Sequence, residues 1–295
     1  MDAERVLEGK NAIVTGASRG LGEAIARKFW AAGANLLLVA RSRSALFDLQ
    51  GELSNTSMEG QLARIMVANL QAPFAPADTM AFARDVWPQL DILVNNAALT
   101  GPIGPVAELD WTLWQRSFLV NLFAPTELSA RAVLWMRETG TSGSIVNVSG
   151  GGASSPRKFF SAYGSAKCAL VRFSETLAEE VRGSGIRVNC IAPGVMNTSM
   201  QQEIANAGPD ATGVGEHELA LRTLAEGGVS NAMNAARLAL YLASEKSAEI
   251  TGKLISAMWD PWMHLHDYGK ALKKSDVYTL RRIVPQHVEK VWKRD

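Results

Sequence analysis

The sequence predicts an α/β protein built on a doubly wound, parallel, seven-stranded sheet with helices on both faces. Three observations carry that expectation. Short apolar runs alternate with longer helical patterns, the runs lack the polar/apolar alternation of a half-exposed strand, and the first run feeds a glycine-rich turn and an apolar-periodic helix. In chain order, "NAIVTG" at 11–16 ends on the glycine that opens this turn, and "NLLLVA" at 35–40 is apolar after its first residue. "RIMVA" at 64–68 follows, then "DILVN" at 91–95, which stops at an asparagine pair. "SIVNVS" at 144–149 runs into three glycines, "RVNCIA" at 187–192 ends before a Pro-Gly pair, and "KLISA" at 253–257 is the seventh run. Right-handed crossovers through helices join such strands.

The chain has 295 residues, 47% of them hydrophobic, enough to bury the core of one domain. That domain is expected to span 1–258, with an extension at 259–295. A formal net charge of +1 argues against a nucleic-acid footprint or a basic membrane-seeking face. Only two cysteines occur, Cys168 and Cys190, which suits a reducing compartment better than a disulfide scaffold. No run of about eighteen apolar residues appears. The expectation is therefore a cytoplasmic protein with a small-molecule partner, no nucleic acid and no membrane.

The first turn, "TGASRGLG", places Gly16, Gly20 and Gly22 around Ser18, Arg19 and Leu21. Glycine allows positive φ and close backbone approach, and the helix start behind it offers unpaired N–H groups to an anion such as a pyrophosphate. With "NNAA" at 95–98, "YGSAK" at 163–167 and "PGVMNT" at 193–198 following in order, the chain resembles the short-chain dehydrogenase/reductase family, with its Rossmann-type sheet, over about residues 8–257. That resemblance implies a nicotinamide cofactor held by the glycine loop, by Asn96 and Ala97, and by the residues after the third strand, where Asn69, followed by Leu70, stands in place of the family's usual aspartate and its amide oxygen can accept the adenine amino hydrogen. It adds Tyr163, Lys167, and Pro193, Gly194, Val195 and Thr198 from the loop after strand six. Ala98 stands where the family's motif has glycine. The second strand ends in Ala40 rather than an acid, and Arg41 follows; with Arg19 it can pair the 2′-phosphate of NADP. NADP(H) is therefore the expected cofactor, with NAD(H) a possibility.

Tyr163 and Lys167 stand at i and i+4 in "SAYGSAKCALVRFSETLAEEV", on one helix face. A phenol works better as acid or base when a neighbouring cation lowers its pKa, and Lys167 is expected to supply that charge. The resemblance implies that Lys167 also holds the nicotinamide ribose, and that Asn121 anchors a water linking the lysine to bulk proton exchange. The family's catalytic serine stands thirteen residues before the tyrosine, and here that position is Gly150. Ser149 is the candidate replacement: strand alternation points it away, while Gly150, Gly151 and Gly152 can redirect it. Ser154 and Ser155 are further candidates. If Ser149 has taken over the oxyanion role, serine at position 150 is expected to add little; if no hydroxyl substitutes, it is expected to raise activity on small ketones unless the new side chain fills space required by the natural substrate.

Residues 199–229 contain two short helical patterns and resemble the family's substrate lid. Met196 and Met200 offer adaptable apolar contacts, and Arg157 and Lys158 are cations ahead of the tyrosine. In the extension, Trp259, Trp262, Tyr268 and Tyr278 can close a pocket or join subunits. His264 and His266 have no completing ligands by spacing, so no metal is expected. The expected function is NADP(H)-dependent interconversion of a carbonyl and an alcohol with Tyr163 as acid/base, in a homodimer or homotetramer. A catalytically weakened NADP-binding regulator or scaffold, and a nicotinamide-dependent epimerase or dehydratase, are the alternatives.

Overall fold

The computed structural model describes residues 5–226, 229–284 and 287; residues 227–228 of the expected lid and most of the chain beyond 284 lie outside the described residues. Seven parallel strands form one sheet in the order β3-β2-β1-β4-β5-β6-β7. They are β1 (Asn11–Thr15), β2 (Asn35–Ala40), β3 (Ala63–Val67), β4 (Ile92–Asn95), β5 (Ser144–Val148), β6 (Arg187–Ala192) and β7 (Leu254–Ser256). All seven expected runs become strands. The direction of strand succession reverses between β1 and β4, which opens a crevice beyond their carboxyl ends.

The uninterrupted apolar runs have a simple cause. On β1 and β2, Ala12, Val14, Leu36 and Leu38 join one hydrophobic layer, while Ile13, Leu37 and Val39 join the other. The first layer is closed by α1 (Gly20–Ala31), α2 (Arg43–Ser54) and α9 (Val229–Ala243). The second is closed by α3 (Ala75–Val86), α5 (Ala124–Thr139) and α6 (Ser161–Glu180). Because both faces are covered, polar alternation along these strands would bury unpaired groups. Each fully buried Leu or Ile here contributes about 1.5–3 kcal/mol instead.

Helix α4 (Trp111–Phe118) continues through a π-helical turn, Leu119–Phe123, into α5. After β6, α7 (Ser199–Thr212) and α8 (Val214–Ala225) form a helical pair, joined at Gly213 and kinked at Gly208, whose φ is +77°. Phe160 from the β5–α6 loop, Ile204 from α7 and Ala220 from α8 make a small separate core.

Beyond β7, a 3-10 segment (Trp262–Tyr268) and α10 (Gly269–Lys273) fold back on the domain. The Leu254 N–H donates to the Tyr278 carbonyl at 2.8 Å, and Lys253 Nζ donates to the Ser275 and Val277 carbonyls. The edge of the sheet at β7 is thus covered by the chain's own tail rather than left open.

Candidate active site

The cleft at the carboxyl ends of β1, β2, β4, β5 and β6 has a volume of about 1130 Å³. It is bordered by all the site residues expected from the sequence except Gly22 and Asn121, which sit behind the wall.

At the β1 end, Gly16 and Gly20 have φ of +65° and +59°. A Cβ on Gly22 would lie 2.2 Å from the Gly16 carbonyl oxygen, so that glycine closes the turn against the helix. Asn96 fixes the turn from β4: its Nδ2 donates to the Thr15 and Gly16 carbonyls at 2.9 and 3.2 Å. The Thr15 hydroxyl accepts from the Asn96 and Ala97 N–H groups. The first turn of α1 has no side-chain cap, which leaves its N–H groups directed at the space bordered by Ser18, Arg19 and Leu21. This cradle, in which a Cβ at Gly16 or Gly22 would collide, fits a dinucleotide pyrophosphate.

Arg19 and Arg41 are exposed at the adjoining end of the cleft, and no carboxylate borders it among Val39–Ser42 or Ala68–Gln71. Leu70 is buried there. The Asn69 side-chain oxygen accepts from the Gln71 N–H at 3.2 Å and remains exposed. On the opposite side, Gly194 has φ of +82°, and Asn231 Nδ2 donates to the Val195 carbonyl at 2.6 Å. Thr198 immediately precedes α7, its methyl 3.5 Å from where a Cβ on Gly20 would stand. The loop after β6 therefore closes over the glycine turn, with Pro193 at its start.

Tyr163 and Lys167 share the inner face of α6 and are 5% and 1% exposed. Lys167 Nζ donates to the Val148 carbonyl at 2.7 Å and lies 5.8 Å from the centre of the Tyr163 ring. Burial pushes the lysine down to about 8 and the tyrosine up to about 12. For the phenol, burial outweighs the pull of the Arg157 guanidinium, which acts in the opposite direction. Asn121 is fully buried in the π-helical turn, where its oxygen accepts from the Leu99 N–H and its Nδ2 donates to the Leu99 carbonyl. It holds the β4–α4 loop.

The glycine run has a geometric explanation that the spacing did not reveal. A Cβ on Gly150 would lie 2.2 Å from the Tyr163 hydroxyl, so the phenol occupies the space a serine there would need. Adding a serine at 150 to this arrangement requires the Tyr163 side chain to shift. A Cβ on Gly152, whose φ is +94°, would lie 2.9 Å from the Gly164 Cα, next to Tyr163 on the helix. Ser149 lines the cleft, and its hydroxyl is buried without a hydrogen-bond partner. Ser154 and Ser155 are exposed along the cleft.

Two polar contacts tie α7 and α8 across the cleft, and pattern reading missed both. Thr100 donates to Glu203 on α7 at 2.5 Å, and Arg157 forms a two-pronged ion pair with Glu216 on α8 at 2.9 and 2.6 Å. Met196, Met200, Leu219 and the highly exposed Trp259 give this end of the cleft its apolar wall. His264 and His266 face Asp267 from the surface, and no group of three candidate metal ligands gathers among the described residues. No helix among them is long and apolar enough to cross a membrane.

Residues 10–208 match the short-chain dehydrogenase family model, and the chain belongs to that family. It is an oxidoreductase of the kind that uses NAD(P) on CH-OH and C=O groups. Over 252 residues it is 30% identical to the 3-oxoacyl-acyl-carrier-protein reductase FabG of Escherichia coli, covering 84% of this chain and 95% of that protein. It is 29% identical over 251 residues to 3beta-hydroxysteroid dehydrogenase 2 of Eggerthella lenta, covering 85% and 94%. The crystal structure of a single-substitution variant of actinorhodin polyketide ketoreductase with NADPH superposes with a TM-score of 0.75 at 27% identity, covering 84% of this chain and 95% of that one.

Proposed function

We propose that the protein is an NADP(H)-dependent reductase or dehydrogenase that interconverts a small-molecule carbonyl and alcohol, with Tyr163 as acid/base. The observation that carries this reading is the convergence of the glycine turn, the β6–α7 loop and the Tyr163–Lys167 pair on one cleft. Arg19 and Arg41, without a neighbouring carboxylate, favour the extra phosphate of NADP over the bare ribose of NAD.

The bound cofactor supplies or accepts a hydride at its nicotinamide ring. The chain supplies the rest. In reduction, the Tyr163 hydroxyl gives its proton to the carbonyl oxygen as the carbon is reduced; in oxidation the phenolate takes the proton back. Lys167, anchored on the Val148 carbonyl, fixes the face of α6 that carries the phenol. Asn121 sets the β4–α4 loop through Leu99. The helical pair α7–α8 serves as the substrate lid, closing the end of the cleft away from the glycine turn.

A weakened, purely nucleotide-binding role is the alternative raised by Gly150. The fit of the Tyr163 hydroxyl into the space left by that glycine favours an adapted site over a decayed one. The test is NADPH consumption with a panel of ketones and aldehydes, following product as well as cofactor. Stoichiometric alcohol formation supports the reading; NADPH binding without turnover on any member supports the alternative.

A further inference from the structure

Just beyond β7 the chain makes a tight turn whose backbone is held from both sides. The Ser256 N–H donates to Asp260 Oδ2 at 2.7 Å, and the Ser256 hydroxyl accepts from the Met258 and Trp259 N–H groups at 3.2 Å. Met258 packs on the loop after β6, where a Cβ on Gly194 would lie 2.6 Å from its Cγ. The Trp262 indole N–H donates to the Ala257 carbonyl, and its ring lies tilted against Tyr241. Between these anchors Trp259 is 86% exposed, and it borders the cleft that holds Tyr163. A fixed backbone thus presents a large flat ring to the cleft, at little cost in ordering when a ligand lies on it.

We propose that Trp259 is a specificity-determining residue, and that the substrate is an uncharged ketone or alcohol whose flat, bulky apolar portion stacks on this indole. The inference deepens the carbonyl–alcohol reading given above and rests on it.

The walls and the charges of the cleft both select that class. Met196, Met200 and Leu219 border the same end as Trp259; the two thioethers adapt to an apolar shape, and the leucine is half-buried at the lid. The cleft volume of about 1130 Å³ exceeds the ~300–1,000 Å³ usual for one small ligand, which leaves room for a bulky substrate beside the cofactor. The ionisable groups at this end are already paired. Glu216 gives both oxygens to Arg157, and Glu203 accepts from the Thr100 hydroxyl. Lys158 lies over the Phe159 ring and does not border the cleft. No cation is therefore left here for a substrate carboxylate, and the unbalanced charge of Glu203 repels one. Of the four aromatic residues singled out in the extension, Trp259 alone borders this cleft. Its place on the catalytic wall gives the indole a small molecule as partner in preference to a second subunit.

The test uses cyclohexanone, 2-tetralone, which adds a fused benzene ring, and 4-oxocyclohexanecarboxylate, which adds a negative charge. At saturating NADPH the native chain should favour 2-tetralone over cyclohexanone by about tenfold or more in kcat/KM, and disfavour the carboxylate by about tenfold. Trp259→Ala should bring the first ratio close to one, mainly through KM, and Trp259→Phe should restore most of it. A first ratio that Trp259→Ala does not change, or a native preference for the carboxylate, overturns the inference. So does a change of subunit number on Trp259→Ala, read by light scattering, with the ketone preference intact; the indole would then belong to a contact between copies. Calorimetry of 2-tetralone with the NADP⁺-bound chain, a complex that cannot turn over, separates this claim from the functional reading. Binding about tenfold weaker in Trp259→Ala supports the stacking role even if NADPH reduces no ketone, a failure that would sink the functional reading. Equal affinity in the two proteins overturns the stacking role even where ketones are reduced.

Discussion

At the scale of single residues, the exchange of serine for glycine at position 150 matters most. The Tyr163 hydroxyl fills the place of the missing side chain, so Gly150→Ser is expected to reduce kcat by about a hundredfold, the usual effect of moving a reacting group by about an ångström. Turnover at fixed saturating NADPH measures it, and a gain would return Gly150 to the status of a simple loss. Arg41 is the second decisive residue. Arg41→Ala should weaken NADPH binding by about ten- to a hundredfold, the worth of one charge-assisted contact, and leave NADH binding nearly unchanged. Competition between the two cofactors by fluorescence titration checks this; equal weakening of both would assign Arg41 no part in cofactor choice.

At the scale of elements, the β1–α1 turn couples stability to binding. Gly22→Ala puts a Cβ 2.2 Å from the Gly16 carbonyl oxygen, so the helix start must move away from the strand. A loss of about 1–3 kcal/mol, with loss of NADPH affinity, is expected from denaturant unfolding and a binding titration on the same variant. This turn was legible in the sequence because its requirement is local: glycines at fixed offsets between one strand and one helix. The same holds for Tyr163 and Lys167, brought to one face by four residues of α6. The lid contacts were not legible. Arg157 and Glu216 are 59 residues apart, and nothing in either segment names the other. Asn121 was singled out, but its grip on Leu99 depends on a π-helical turn that no periodicity announces. The covering of β7 by Tyr278 likewise depends on a tail whose aromatic composition is compatible with several packings.

At the scale of the whole molecule, the buried Lys167 ties stability to pH. Its pKa is about 8 in the folded chain against an ordinary 10.5, so between those values the unfolded chain binds the extra proton. Stability of the native protein relative to Lys167→Met should therefore rise as pH goes from 8 to 10.5, by on the order of 3 kcal/mol, and level off above. Parallel urea melts across that range read the difference directly. A flat difference would mean that the ammonium is better solvated than its surroundings indicate.

The central claim, that the fold presents Tyr163 as the proton donor of a nicotinamide-dependent carbonyl reduction, is tested most directly by one matched pair of proteins. Native and Tyr163→Phe chains are compared in NADPH affinity and in single-turnover reduction of a carbonyl substrate found in the panel. The account predicts nearly equal affinity and a reduction rate lower by about a hundred- to ten-thousandfold in the phenylalanine variant. A variant that binds NADPH and still reduces the carbonyl at the native rate would contradict it.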